Sequence, residues 1–495
     1  MTIRQETAAP SAAPSVAAPV DPGNTLANAR IGTADLVFFV VAAAAPLTAM
    51  AGVAPAAIGM GGLAAPLGYL LSGLLLALFA AGFTAMSRYV RNAGAFYAYI
   101  ARGLGKAVGV GAAYVAVVSY NLIEIGMVSC FGYFASTGVE DLTGFALPWW
   151  VWALGCVAGV ALLGWLRVTL SAKVLGIALA LEVLVLLVLE IGVLGDRGGS
   201  TFDPGVFDPT HLSGDGVAGM FVLAIGAFTG FEATAIYAEE AREPERTVPR
   251  ATYIAVGFLA LFYAFTVWVV MGAFGGEESV AVANGEGGAD LVFTAGGEFV
   301  GAWLADSMHV LIITSAFAAT LAFHNAATRY MYALGREGLL PRGLGRVDRR
   351  TGSPGRAVVV QSAIGLAVVV VGALADVDPY TVTFLWPNGV GVLGVMAMQA
   401  LAAFAVFGFF RRDRRGLSRF RVVLAPLAAG AGLVLLTVLA VAHFDLLTGA
   451  ADGVNAALLV PLPIVFCAGL LMARHIRRAD PERYALLTTT DVERD

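Results

Sequence analysis

Long apolar stretches alternate with short polar connections from Asp35 to Ala473. Each stretch approaches or exceeds the ~20 residues that carry a helix across ~30 Å of hydrocarbon. They read as twelve spans. The first six are Asp35–Met60, Pro66–Met86, Ala107–Ser136, Pro148–Leu166, Leu170–Gly192 and Gly216–Tyr237. The second six are Ala251–Phe274, Trp303–Ala333, Ala357–Ala373, Tyr380–Phe410, Val422–His443 and Asn455–Ala473. The third, eighth and tenth are longer than a bilayer needs, so tilt or projection beyond it is expected. The pattern predicts an all-α membrane protein.

Two spans carry weak points. Span 1 is interrupted by A-A-A-A-P-L-T-A-M-A-G-V-A-P and span 6 by G-A-F-T-G-F-E. An unsatisfied backbone group in hydrocarbon costs several kcal/mol, so such breaks are tolerable only where the freed backbone lines a cavity or binds something. The two breaks begin roughly 180 residues apart, with five spans between equivalent positions. An odd number of spans per half orients the halves oppositely, and paired breaks in inverted halves are the mark of a transporter binding site. The expected permease-like domain is 34–473, with one repeat at about 34–192, a second at about 216–410 and two extra helices at about 422–473.

Basic residues orient the chain. With the N-terminus inside, the inner loops receive Arg88, Arg91, Arg102, Lys106, Arg167, Lys173, Arg242, Arg246 and Arg250. The clusters Arg329 to Arg356 and Arg411 to Arg421 fall on the same side, and Arg197 alone falls outside. This segregation is the positive-inside pattern, and it also checks the span count. Trp149, Trp150, Trp152 and Trp303 stand at the outer edge, where aromatic anchors belong. The Ala/Pro/Ser-rich segment 1–33 reads as a disordered cytoplasmic tail and 474–495 as a polar cytoplasmic tail.

Composition agrees: 59% of residues are hydrophobic and only 13% are charged, so a soluble globular domain is excluded. The net charge of −5 decides little, because placement outweighs the sum. Cys130, Cys156 and Cys467 stand singly in apolar runs, as packing residues do. No phosphate-binding loop, metal-ligand spacing, Arg-every-third helix or repeated filter sequence is present. ATP drive, a metal, a cofactor and nucleic acid are therefore not expected. The chain reads as a carrier driven by a gradient and not as an enzyme.

Carboxylates inside spans are the candidates for chemistry, since each costs about 2.5–3.5 kcal/mol at a helix centre. Glu124 lies in span 3, where Tyr120, Asn121 and Glu124 share a helical face. Glu182 lies in span 5, and Glu232 follows the break in span 6. Each reads as a substrate contact or an ion-coupling group, or else as an inward carboxylate tied to a neighbouring helix. Glu190 is placed near the outer interface and expected to be solvated. His324 and His309 in span 8 read as hydrogen-bonded packing residues, with a proton relay as the alternative. Phe228, Phe231 and Trp386, the last in W-P-N-G, are candidates to wall a pocket.

Three segments resemble a known group. S-R-Y-V-R-N-A-G-A-F-Y-A-Y-I-A-R-G-L-G from Ser87 to Gly105 is similar to the span 2–3 signature of the amino acid–polyamine–organocation (APC) superfamily of permeases. G-F-E-A-T-A-I-Y-A-E-E-A-R-E-P-E-R-T-V-P-R-A from Gly230 to Ala251 resembles its span 6–7 signature. H-N-A-A-T-R-Y-M-Y-A-L-G-R-E-G-L-L-P from His324 to Pro341 resembles its span 8 ending. The resemblance implies a leucine-transporter-like fold of ten spans in two inverted repeats plus two extra. It also implies cation-coupled uptake or exchange of amino acids or related amines.

By position, the resemblance puts Ala45, Pro46, Leu47, Thr48 and Ala49 at the span 1 break, where backbone amides would hold a substrate carboxylate. It puts Gly226, Ala227, Phe228, Thr229, Gly230 and Phe231 at the span 6 break, where carbonyls would hold an ammonium. Two departures stand out. The usual Gly-x-Gly of span 1 reads P-L-T here, and Pro46 has no N–H to donate. Where many relatives carry a span 5 lysine, this chain has Glu182, which suits a proton or a sodium ion. The expected function is secondary transport of an amino acid across the plasma membrane. The alternatives are a permease for polyamines or other organic cations and, in a different class, a non-transporting membrane sensor.

Overall fold

The computed structural model describes residues 31–90, 95–166, 172–201, 204–232, 234, 241–348 and 350–488, with backbone only at 95, 172–175, 200, 201 and 244. Among them helices dominate, and the single β contact is a bridge between Ile31 and Ala241. Nine stretches are apolar and long enough to cross a membrane, and two shorter apolar helices, Trp149–Trp165 and Val217–Phe228, accompany them. Large apolar side chains such as Leu74, Ile191, Leu261, Val371, Leu435 and Leu471 point outward. In water that surface would be a liability; against acyl chains it is neutral. This is a multi-pass membrane protein.

The first apolar stretch breaks into α1 (Thr33–Ala44), a wide turn at Thr48–Val53, and α2 (Ala54–Gly61). Gly62, at φ +56, then lets the chain leave that axis for α3 (Ala65–Met86). A short helix, α4 (Ala95–Leu104), follows, and then α5 (Lys106–Thr143). The sequence pattern gave no signal for α4, because an amphipathic ten-residue helix ending near Arg102 never fills a ~20-residue apolar window. At 38 residues α5 is about 57 Å long, so it must tilt or project. Next come α6 (Trp149–Trp165), α7 (Ala172–Arg197), α8 (Val217–Phe228) and α9 (Pro244–Phe274).

Two short helices unseen in the pattern, α10 (Gly276–Ala283) and α11 (Leu291–Phe299), lead into α12 (Ala302–Arg336). The remaining spans are α13 (Gly355–Leu374), α14 (Trp386–Phe410), α15 (Ala425–Ala442) and the pair α16 (Asp452–Leu459) and α17 (Pro461–Ala479). The centre is α5, packed by α4, α6, α12, α14 and α17. Without a hydrophobic drive between helices in lipid, small residues bring backbones close. Gly73 of α3 does so against Ala260 of α9.

Order extends beyond the expected end of the last span. A short helix, α18 (Pro481–Leu486), is held to the end of α12 by Arg483, whose guanidinium donates to the Glu337 and Gly338 carbonyls at 3.2 and 2.6 Å. Leu487 and Ile476 join Tyr97, Leu334 and Leu339 in a small apolar cluster there. Residues 1–30 and 489–495 of the expected tails lie outside the described residues, as do Arg91 and Arg167.

Candidate functional site

The first break follows from one residue. Pro46 has no N–H to donate and disfavours helical backbone at the residue before it. Ala45 accordingly sits at φ 44°, ψ 73°, and its N–H turns back to the Val41 and Ala42 carbonyls. A non-glycine residue held there costs about 1–2 kcal/mol, so the neighbours must hold it. They do. The Tyr263 hydroxyl of α9 donates to the Ala44 carbonyl at 3.2 Å, and the Leu47 N–H donates to Glu182 Oε2 of α7 at 3.3 Å. The same carboxylate oxygen accepts from Ser315 Oγ of α12 at 2.8 Å. Glu182 is 4% exposed and ties three helices together at the break.

The second break is built around a glycine. After Phe228 the backbone leaves the helix at Thr229, and Gly230 adopts φ +116°, where side chains are strained. Glu232 closes the turn: its Oε2 accepts the Gly230 N–H at 3.0 Å and its Oε1 accepts the Tyr120 hydroxyl of α5 at 2.7 Å. Both side chains are fully buried, and Tyr120 stacks on Tyr330 with centroids 5.2 Å apart. A Cβ added at Gly230 would lie 2.9 Å from the Ala43 Cβ. The two breaks therefore touch.

Between them lies a cavity of about 30 Å³, room for one or two waters. The first break contributes Ala45, Thr48 and Ala49, and the second contributes Gly226, Ala227 and Thr229. Ile123 and Met127 of α5, Phe323 of α12 and Asn388 of α14 complete the wall. Thr48 Oγ1 is buried and, among the described residues, has no hydrogen-bond partner. A buried hydroxyl without a partner is costly, so the site asks for a polar guest. One side of the cavity is small and polar; the other is apolar.

The remaining candidates stand outside that lining. Pro46, Leu47, Gly230 and Tyr120 shape the breaks from behind. Phe228 packs edge-on against Tyr263 at 5.5 Å, and Phe231 against Phe79 at 6.0 Å, because the break turns both rings toward α3 and α9. The Trp386 indole N–H donates to the Thr448 carbonyl at 3.0 Å instead of facing the cavity; Asn388, two residues on in the same W-P-N-G, faces it. Glu124 turns away from Tyr120 toward His324, whose Nδ1 is 2.8 Å from its Oε1, and toward Gln361. His324 is thus paired, while His309 stacks on Phe293 at 4.3 Å.

Glu190 is a correction. It is 2% exposed, not solvated, and its Oε1 accepts from Thr266 Oγ1 at 2.6 Å, because α9 covers that end of α7. Ile123, Met127, Phe323, Asn388 and Ser315 went unnoticed in the sequence. The i, i+4 spacing of Ile123 and Met127 and the position of Asn388 inside W-P-N-G were available signals; Ser315 offered none. Among the described residues no group of His, Cys, Asp and Glu is arranged to hold a metal.

A sequence profile described as amino acid permease matches residues 35–480. An uncharacterized transporter of Mycobacterium bovis is 28% identical over 328 residues, 59% of this chain and 64% of that protein. The histidine permease of Saccharomyces cerevisiae is 27% identical over 36% of this chain and 30% of its own length. The lysine-specific permease of Lactococcus lactis is 28% identical over 32% of this chain and 31% of its own. The chain thus spans less than two thirds of the length of these relatives.

Proposed function

The chain belongs to the amino acid permease family, and from that premise we propose that it is a secondary active transporter moving a small neutral amino acid across the plasma membrane by alternating access. The observation that carries this reading is the contact of two broken helices around the unpartnered Thr48 hydroxyl. Backbone freed at such breaks attracts both ends of a zwitterion. Ile123, Met127 and Phe323 offer an apolar wall, and the lining holds no charged side chain, which favours a neutral substrate. The cavity is too small for an amino acid, so this is a closed state that must open to load.

Among the described residues, counting the 54-residue stretch Thr33–Met86 as two crossings and adding the two shorter apolar helices gives twelve spans, in support of two inverted repeats plus two with both termini on one side; the basic residues of the connections favour the cytoplasm for that side. Glu182 is the proposed coupling group, since its carboxylate joins the first break to α12. A proton or a sodium ion there would change the charge that the Leu47 N–H and the Ser315 hydroxyl meet. One charge moving down ~100 mV releases ~2.3 kcal/mol, roughly fifty-fold accumulation, so symport or exchange needs a single coupled ion.

A second reading, a permease for basic amino acids, polyamines or other organic cations, is favoured by the Glu232 carboxylate within the second break and by the similarity to the lysine-specific and histidine permeases. Both Glu232 oxygens are already engaged, which supports the neutral substrate instead. Counterflow into liposomes holding the purified protein decides. Saturable exchange of small neutral amino acids is expected, with polyamines competing poorly. Polyamine-selective exchange would favour the second reading, and absence of any flux with retained ligand-induced thermal stabilisation would mark a sensor.

A further inference from the structure

We propose that Glu124, His324 and Gln361 form a second buried proton-binding site, directly behind the cavity wall, whose charge state sets how α5 and α12 fit together. Its effect on transport rests on the permease reading; its binding of a proton does not.

The geometry is closed and polar on three helices. Glu124 of α5, His324 of α12 and Gln361 of α13 are 1%, 0% and 0% exposed. His324 Nδ1 meets Glu124 Oε1 at 2.8 Å, and Gln361 Nε2 donates to Glu124 Oε2. Among the described residues His324 Nε2 and Gln361 Oε1 have no partner. A set with a purely packing role would have its polar atoms matched, because each unmatched one is costly in a dry interior. The bare imidazole nitrogen is the place where a proton can be added or removed without breaking an existing bond.

The charge arithmetic gives the site its leverage. With an ionised carboxylate and a neutral imidazole the unit carries one negative charge among apolar walls. With one more proton it is electroneutral, as an imidazolium–carboxylate pair or as two neutral groups. A net charge taken out of water is far more costly than a matched pair. Among the described residues the groups facing it are few. From α6, Cys156 lies close to Glu124, and Gly164 abuts the imidazole, since a Cβ there would lie 3.3 Å from His324 Nε2. From α13 comes the uncharged Gln361. On α5, Tyr120 is one turn away but is directed to Glu232. On α7, Glu182 meets α12 at Ser315, nine residues or about 13 Å along the helix from His324.

The link to the substrate is direct. Ile123 precedes Glu124 and Phe323 precedes His324, and both line the cavity. A change in the distance between Glu124 and His324 moves those wall residues with the helices that bear them. Glu124, His324 and Gln361 are therefore positioning residues for the apolar side of the cavity.

The test uses the full-length protein and the variants Glu124→Gln and His324→Gln. Without substrate, the melting midpoint of the wild type is expected to step with pH, and both variants should lose that step. In counterflow the wild-type KM should change by up to about tenfold per pH unit on one side of the same midpoint, and the variants should be flat. Gly164→Ala, which crowds Nε2 without removing a polar group, should fold and move the step along the pH axis. A step that persists unchanged in both variants and in Gly164→Ala overturns the site, as does a wild type without one. Absence of flux with the melting step intact would sink the transport reading and leave the proton site standing.

Discussion

Replacing Gly230 by alanine probes the contact between the two breaks. Two costs arise. The backbone there holds φ +116°, a conformation that costs a residue with a Cβ about 1–3 kcal/mol. The new Cβ would also lie 2.9 Å from the Ala43 Cβ, well inside the ordinary 3.5–4.0 Å contact, so the breaks must part by about half an ångström or more. If the closed state lies on the transport cycle, destabilising it by about 1–3 kcal/mol slows exchange roughly fivefold to more than hundredfold. The assay is initial counterflow rate at matched protein density, with the melting midpoint as a check on folding. Ala43→Gly separates the two costs, because it removes the opposing methyl and leaves the backbone strain. The double variant should recover part of the loss, its cost falling below the sum of the two singles. Wild-type rates in Gly230→Ala, or no recovery at all in the double variant, would refute the argument.

Three further outcomes are expected. Ser315→Ala removes one of the two donors to Glu182 Oε2, and a hydrogen bond to a charged group is worth about 1.5–3 kcal/mol; half-saturation by the coupling ion should shift about tenfold or more, whereas Glu182→Gln should keep counterflow and lose gradient-driven accumulation. Arg483→Ala should release the short helix at Pro481–Leu486 and raise amide exchange from 476 to 488 several-fold, for a local loss of about 1 kcal/mol, with counterflow unchanged. The Asp348 carboxylate accepts the Arg350 and Thr351 N–H groups at 2.9 and 3.0 Å, first the Thr351 and then the Arg350 bond holding its pKa below the ordinary 3.8. A depressed pKa adds stability above the ordinary value that fades as pH falls through the lower folded one. Protection of the Arg350 and Thr351 amides should therefore survive to about pH 4 and vanish under stronger acid, and Asp348→Asn should abolish that acid dependence.

The breaks were legible because their causes are local. A proline at 46 ends a helix wherever it stands, and a threonine–glycine pair at 229–230 between apolar runs marks a weak point by itself. The membrane character was legible too, because hydrocarbon tests each ~20-residue window separately. The short helices α4, α10 and α11 escaped, since at eight to ten residues none of them fills such a window. Helix rotation was the main obstacle inside the spans. Tyr120 and Glu124 stand one turn apart on α5, yet one meets Glu232 and the other His324, because different neighbours cover adjacent strips of the same helix.

By itself, then, the order of residues determined which segments cross the membrane, where two of them break, and which carboxylates are stranded within. Those properties follow from solvation and backbone chemistry acting over a few turns. Tertiary structure alone decided that Glu182 serves the first break through Leu47 and Ser315, that Gly230 rests on Ala43, and that Asn388 rather than Trp386 faces the cavity. Each of the first two joins residues more than a hundred positions apart, and the third depends on how α14 is turned about its axis. Packing among helices fixes such rotations, and no local pattern encodes them.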